Sequence, residues 1–200
     1  MLIIFDTKVC NLNSWVGTLN SLNQKFKIID NNNFQSNKVK KMIFPGIGNF
    51  LEVAQYLRRK NLDKLILQLV KGGVPILGVC IGMQILLNES EEAPGYEGLG
   101  IISGKVKKIN TKKIPCPHNG WNDNSNIKKS KLFQGIKNSE NFYYNHSYYC
   151  DVDNKKLITK KLSDGNITSA FEYQNIYGVQ FHPEKSHQQG KRLLKNFLSI

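Results

Sequence analysis

Residues 74–84 read Val-Pro-Ile-Leu-Gly-Val-Cys-Ile-Gly-Met-Gln, an apolar run that ends on a cysteine with a glycine two positions to either side. Val74–Val79 has the length and composition of a buried strand, and Met83–Leu87 continues as a helix. A strand that passes into a helix over so few residues must turn sharply. Side chains two before and two after the turn would then collide, and here both positions are glycine, Gly78 and Gly82. Such an elbow lifts the Cys80 sulfur off the sheet edge. The helix that follows points its N-terminal N–H groups and its dipole at the sulfur, which favours thiolate over thiol. The amide of Ile81 is placed to bond an oxyanion forming at an attacked carbon.

The segments around the elbow alternate in the same way. Leu2–Phe5, Phe26–Ile29 and Lys41–Phe44 read as short buried strands. Leu12–Leu22, Leu51–Leu57 and Leu62–Val70 carry apolar residues at helical spacing, with Gly72-Gly73 as a stop. Alternating strands and helices imply a parallel sheet covered on both faces. Beyond residue 98 the pattern changes. Gly98–Ile109 predicts strand pairs, Asn141–Cys150 further strands, Ala170–Tyr173 and Tyr177–Phe181 a hairpin, and Gln189–Phe197 a closing helix. We expect one α/β domain over residues 1–200, with a mixed, mostly parallel central sheet flanked by helices.

A cysteine nucleophile needs a base. His182 follows the run Tyr177–Phe181, so a strand delivers it to its C-terminal end, where sites gather in open α/β sheets. Glu184 lies two positions on, and a carboxylate there can hold the imidazole in one tautomer and stabilise its cation. Cys80, His182 and Glu184 form a nucleophile–base–orienter set. A second Gly-rich strand–helix passage, Pro45-Gly46-Ile47-Gly48, lets backbone approach a ligand closely, and the amide of Ile47 is a candidate second oxyanion donor. It lacks the third glycine of a dinucleotide fingerprint.

Composition narrows the alternatives. The formal net charge is +13, but only three of the 28 basic residues are arginine, and 23 asparagines accompany the lysines. Arg forks are the usual tools for phosphates and bases, so a composition bias accounts for the charge better than a nucleic-acid partner does. No apolar stretch reaches the ~20 residues of a membrane span. The N-terminus has no basic region or cleavage signal, so a cytoplasmic protein is expected. Cys10, Cys80, Cys116 and Cys150 have no CxxC spacing, and neither a disulfide nor a metal site is expected.

In this order, Pro45–Gly48, Gly78–Gln84 and His182–Glu184 resemble the Pro-Gly-x-Gly loop, the Gly-x-Cys-x-Gly-x-Gln elbow and the late His-Pro-Glu of class I glutamine amidotransferases. The resemblance covers nearly the whole chain. Pro45–Phe50, Gly82-Met83-Gln84, Gly120-Trp121-Asn122, His146-Ser147-Tyr148-Tyr149 and Gln180–Ser186 further resemble the branch of that family that serves histidine biosynthesis. The resemblance implies that Cys80 attacks the carboxamide carbon of L-glutamine, that His182 shuttles the proton, and that water hydrolyses the glutamyl thioester. Gly46, Gly48, Gln84, His146, Ser147 and Tyr148 would hold the glutamine. No cofactor is implied. Ammonia would pass to a (β/α)₈-barrel cyclase subunit in a heterodimer, giving imidazole glycerol phosphate and an aminoimidazole carboxamide ribotide. Trp121, Asn122, Tyr143 and Lys185 would lie toward that partner.

The chain departs from the family pattern in Asp6-Thr7-Lys8-Val9-Cys10-Asn11-Leu12, where Lys8 and Cys10 replace two glycines in a loop that faces the partner in the family, and at Asn119, where Met is usual. The altered loop keeps open a paralogous glutaminase that feeds a surface-sugar amidotransferase. A non-catalytic binding module on the same fold is a further reading, and the intact Cys80, His182 and Glu184 argue against it.

Overall fold

Strand β1 (Leu2–Phe5) opens the chain, followed by helix α1 (Leu12–Ser21), β2 (Phe26–Ile29), β3 (Lys41–Phe44), helices α2 (Phe50–Arg59) and α3 (Leu62–Lys71), and β4 (Ile76–Val79). This computed structural model describes all residues except 9, 32–35, 111–114, 126–129, 153–157 and 163–166. After β4 come a single helical turn, α4 (Ile81–Gln84), and then β5 (Glu89–Ser90), β6 (Lys105–Lys108), β7 (His118–Asn122), β8 (Asn124–Ser125) and β9 (Phe142–His146). The described elements close with β10 (Tyr148–Asp151), β11 (Ile158–Leu162), β12 (Thr168–Tyr173), β13 (Ile176–Val179) and α5 (His187–Ser199).

The main sheet runs in the order β2-β1-β3-β4-β13-β12-β10-β6-β5, and β11 extends it by pairing with β12 and β8. The first five strands are parallel, and β12 and β10 each pair antiparallel with their neighbours. The sheet is therefore mixed, with a parallel half. The outermost strand in chain order, β13, lies in the middle beside β4, with Gly178 opposite Gly78 and Val179 opposite Val79. That pairing sets the C-terminal ends of the two strands side by side.

Period-two alternation sorts each strand between two cores. Ile3, Phe5, Met42 and Phe44 pack with α2 and α3, through Val53, Leu57, Leu62, Ile66 and Leu69. Leu2, Ile4, Ile43, Leu77 and Val79 pack with α1 and α5, through Trp15, Leu19, Leu193, Leu194 and Phe197. Side chains cap the entries to two helices: Asn11 accepts from the Ser14 amide and Asn49 from the Glu52 amide. Among the described residues, no helix is long and apolar enough to cross a membrane.

Two expectations need correction. The helix after the elbow does not run through Met83–Leu87; it stops at Gln84. The amides of Leu99 and Ile101 take the carbonyls of Ile85 and Leu86, so the chain turns there instead of continuing. The same bonds explain why Gly98–Ile109 does not form strand pairs. Only β6 is a strand there, because residues 98–102 spend their amides on the turn beneath α4. Gly98 sits so close that a Cβ on it would lie 2.1 Å from the Leu87 carbonyl oxygen.

Candidate active site

Cys80 links β4 to α4 at φ +54°, a left-handed value that is costly for a residue with a side chain. Its amide donates to the Val179 carbonyl at 2.8 Å, so the neighbouring strand β13 holds the turn. Both flanking glycines are needed for contact. A Cβ on Gly82 would lie 1.8 Å from the Phe44 carbonyl oxygen, and one on Gly78 would lie 2.5 Å from the Gly82 carbonyl oxygen. The loop after β3 presses on the elbow as well, since a Cβ on Gly46 would meet Ile81 Cγ2 at 2.2 Å.

β13 carries its own C-terminal extension, Gln180, Phe181 and His182, to the same end of the sheet. His182 Nδ1 lies 2.9 Å from Glu184 Oε1, and both side chains are fully buried. Burial alone would push the imidazole's pKa down. The Cys80 sulfur and then the Glu184 carboxylate outweigh it, and the net shift is upward, to about 10. Nε2 of His182 has no hydrogen-bond partner and is buried. A buried hydroxyl fixes this turn: Ser186 Oγ donates to the His182 carbonyl at 2.6 Å and accepts from the Tyr143 amide at 3.0 Å.

Above the sulfur is a cavity of about 220 Å³. It is lined by Ile47, Gly48, Cys80, Ile81 and Gln84, and across from them by Asn145, His146, Ser147 and Tyr148. The Ile47, Ile81, Gly48, Gln84, His146, Ser147 and Tyr148 named from sequence therefore come together around Cys80. Gly46 does not line the cavity; it packs on Ile81 behind it. As the first residue of α4, Ile81 has an amide with no intrahelical acceptor.

His146 Nδ1 lies 2.8 Å from the Tyr148 carbonyl, which can only accept, so Nδ1 carries the proton. Its Nε2 then accepts from His118 Nδ1 at 3.0 Å. Burial pushes the His146 pKa down to about 3, and the ring is neutral.

Trp121, Tyr143 and Lys185 form a patch beside the cavity. Trp121 is 47% exposed, stacks on His187 with ring centroids 5.0 Å apart, and faces Tyr143 edge-on at 5.9 Å. Lys185 Nζ stands 5.5 Å over the Tyr143 ring. Asn122 ends the same strand, opposite Phe142. In the altered N-terminal loop, Lys8 sits at φ +63° and its ammonium bridges Asp6 at 2.7 Å and Asp30 at 2.9 Å; Val9 lies outside the described residues. No group of three or more His, Cys, Asp or Glu placed to hold a metal ion occurs among the described residues.

Sequence reasoning did not single out Glu92, Asn145, Pro117 or Gln180. Glu92 lines the cavity and its Oε2 accepts the Phe50 amide at the start of α2. No local pattern marks it, since it lies in a turn held by Ser90 and by the bond from the Glu91 amide to Val106 on β6. Gln180 stood inside a quoted motif without a role.

Residues 4–200 match a family model described as Glutamine amidotransferase class-I. A Pyrococcus furiosus protein named imidazole glycerol phosphate synthase subunit HisH is 40% identical over 185 residues, spanning 91% of this chain and 93% of that protein. A Leptospira interrogans protein of the same name is 39% identical over the full length of both. Among solved structures, PurLQS from Thermotoga maritima superposes with a TM-score of 0.77 at 14% identity, covering 99% of this chain and 97% of that one. A Thermotoga maritima glutamine amidotransferase gives a TM-score of 0.67 at 15% identity, covering 99% and 82%. At these identities the two structures share the fold.

Proposed function

We propose, from the premise that this chain belongs to the class-I glutamine amidotransferase family, that it is the glutaminase subunit of an imidazole glycerol phosphate synthase. One observation carries the chemistry: a cysteine held at φ +54° on the floor of a cavity, beside a buried His182–Glu184 pair. The whole chain, 1–200, is read as one amidotransferase domain.

Glutamine enters with its carboxamide toward Cys80. The sulfur attacks the carboxamide carbon, and the carbonyl oxygen becomes an oxyanion facing the amides of Ile81 and Ile47. His182 delivers a proton through Nε2 to the leaving nitrogen, and ammonia departs. Nε2 suits that role because Nδ1 is already committed to Glu184, which also stabilises the imidazolium. The same imidazole then takes a proton from the water that cleaves the thioester. Glu92 is the one carboxylate among the lining residues, and it matches the α-ammonium of an amino-acid substrate.

Ammonia passes to a cyclase subunit in a heterodimer, which we read as a (β/α)₈ barrel seated on the patch of Trp121, Asn122, Tyr143 and Lys185. An exposed aromatic cluster with one cation has the composition of an interface anchor. The test is glutamate release from glutamine by this chain alone and mixed with the same organism's cyclase carrying its nucleotide ligand. A strong rise with the cyclase is expected. No rise, with Cys80 still alkylated by a glutamine analogue, would overturn the partner and point to a sugar amidotransferase instead.

A further inference from the structure

We propose that the side-chain amide of Gln180 is a second group acting on the Cys80 sulfur beside His182, an N–H donor that stabilises its anionic form. The inference deepens the glutaminase reading and rests on it for the reaction, though not for the contact itself.

Gln180 is fully buried. Its Nε2 lies 3.7 Å from Cys80 Sγ, within reach of a hydrogen bond to sulfur. Its Oε1 accepts from Gln84 Nε2 at 3.0 Å, and that same Gln84 nitrogen donates its other hydrogen to the Tyr148 carbonyl at 2.9 Å. These contacts settle which way each amide points. A backbone carbonyl only accepts, so the nitrogen of Gln84 must face Tyr148. Gln84 then presents an N–H to Gln180, so Gln180 must answer with its oxygen. Its nitrogen is left aimed at the sulfur. Flipping Gln180 would set donor against donor, and flipping Gln84 would set acceptor against acceptor, in a buried site where an unsatisfied group costs about 1–3 kcal/mol.

The chain of contacts runs Tyr148 carbonyl, Gln84, Gln180, Cys80. It has two chemical consequences. First, both hydrogens of the Gln84 amide are used inside the protein, so Gln84 can meet a bound glutamine only through its oxygen. Second, the sulfur has a neutral donor fixed on it before substrate arrives. His182 gives its proton away during turnover, whereas the Gln180 N–H stays. Such a donor favours the thiolate whenever it is the ground-state nucleophile or the leaving group of thioester hydrolysis. Gln180 also stands two residues before His182 on the same extension of β13, and its amide donates to the Ser169 carbonyl at 2.8 Å. One strand end therefore supplies Gln180 and His182 to the sulfur, while the Asn145 carbonyl lies 3.9 Å from it on the β9 side.

Gln180→Met keeps the length and volume of the side chain and removes the donor. Gln180→Glu keeps the oxygen that Gln84 needs and replaces the nitrogen with oxygen. The first readout is the rate at which iodoacetamide alkylates Cys80 in the full chain, followed peptide by peptide so that Cys10 and Cys116 serve as internal references. We expect a fall of roughly tenfold at Cys80 in both variants, the equivalent of about 1.4 kcal/mol, with the reference cysteines unchanged. The second readout is glutamine turnover in the complex with the cyclase, where kcat should fall by a similar factor while KM changes little. Folding is checked by the thermal midpoint; if Gln180→Met does not fold, Gln180→Glu carries the test. Unchanged alkylation of Cys80 in a folded variant overturns the proposal. So does an equal fall at all three cysteines, which is general loosening. If the unmodified chain with its cyclase turns over no glutamine, the glutaminase reading fails, and the alkylation rates still decide the role of Gln180.

Discussion

His182 Nδ1 and Glu184 Oε1 lie 2.9 Å apart with only 1% and 2% of their side chains exposed, so the imidazole is oriented by a carboxylate from its own turn. On the proposed mechanism His182→Ala removes the group that moves the proton, whereas Glu184→Gln removes only the charge that orients it. We expect Glu184→Gln to lose one to two orders of magnitude less kcat than His182→Ala. Steady-state glutamine hydrolysis in the complex measures both, and equal losses would refute the ranking.

Cys80→Ser should abolish glutamine-dependent synthesis by the complex while leaving synthesis from free ammonia intact. It should also move His182. The sulfur is the chief influence holding that pKa up to about 10, so an NMR titration of the His182 ring should show a lower value in Cys80→Ser. The stability linkage has a definite sign. With the folded value raised above the ordinary 6.5, the contribution is full below pH 6.5 and is lost as pH rises through about 10. Thermal midpoints across that window should fall more steeply for the parent than for Cys80→Ser.

His146 titrates with the opposite sign. Burial depresses its pKa to about 3, so the folded protein binds fewer protons there than the unfolded chain. Its contribution to stability is full above pH 6.5 and is lost as pH falls toward 3. His146→Gln removes that titration, and its thermal midpoint should depend less on pH across this range. A parallel pH dependence in both proteins would count against the neutral His146.

Two glycine substitutions should have opposite effects. Gly82→Ala drives a methyl group to 1.8 Å from the Phe44 carbonyl oxygen, and backbone must shift to admit it. We expect a loss of stability of at least about 1–3 kcal/mol together with loss of activity. Gly17 lies exposed in α1 with nothing within 4 Å of an added Cβ. Gly17→Ala should raise stability by about 1 kcal/mol without touching turnover. Denaturant unfolding distinguishes the two.

Trp121→Ala should weaken binding to the cyclase by more than about 1 kcal/mol while leaving the thermal midpoint of the free chain almost unchanged, because the indole is 47% exposed. Calorimetric titration with the cyclase checks this. Unaltered affinity would move the interface away from the aromatic patch.

The elbow was legible because its requirements are local. Two glycines stand at fixed offsets around Cys80; Gly78 answers to a contact within the turn, with the α4 backbone, and Gly82 to the Phe44 carbonyl of β3. The alternating strands were legible for the same reason. What escaped was decided at a distance. The His118–His146 pair exists because β7 and β9 align in a particular register, with those residues directly opposite. Glu92 reaches the cavity through a turn set by Ser90, which accepts the amides of Glu92 and Ala93, and by the bond from the Glu91 amide to Val106 on β6. The bonds from the amides of residues 99–102 to the carbonyls of Ile85, Leu86 and Leu87 shortened α4 below its apolar pattern. Gln180 was visible as a letter in a motif, but its role depends on which atom of Gln84 faces Tyr148, and only packing decides that.

β13 occupies the middle of the sheet, between β4 and β12, although it is the last strand to be made. A ribosome releases the N-terminal half first, and Cys80 emerges long before the residues that hold its turn. Until residues 176–182 arrive, the cysteine lacks its Val179 carbonyl, its Gln180 amide and its imidazole together. Nascent and prematurely terminated chains therefore carry Cys80 without these partners. On the proposed mechanism, chain order itself withholds the rest of the machinery to the end of synthesis, and a fragment ending before residue 176 should consume no glutamine.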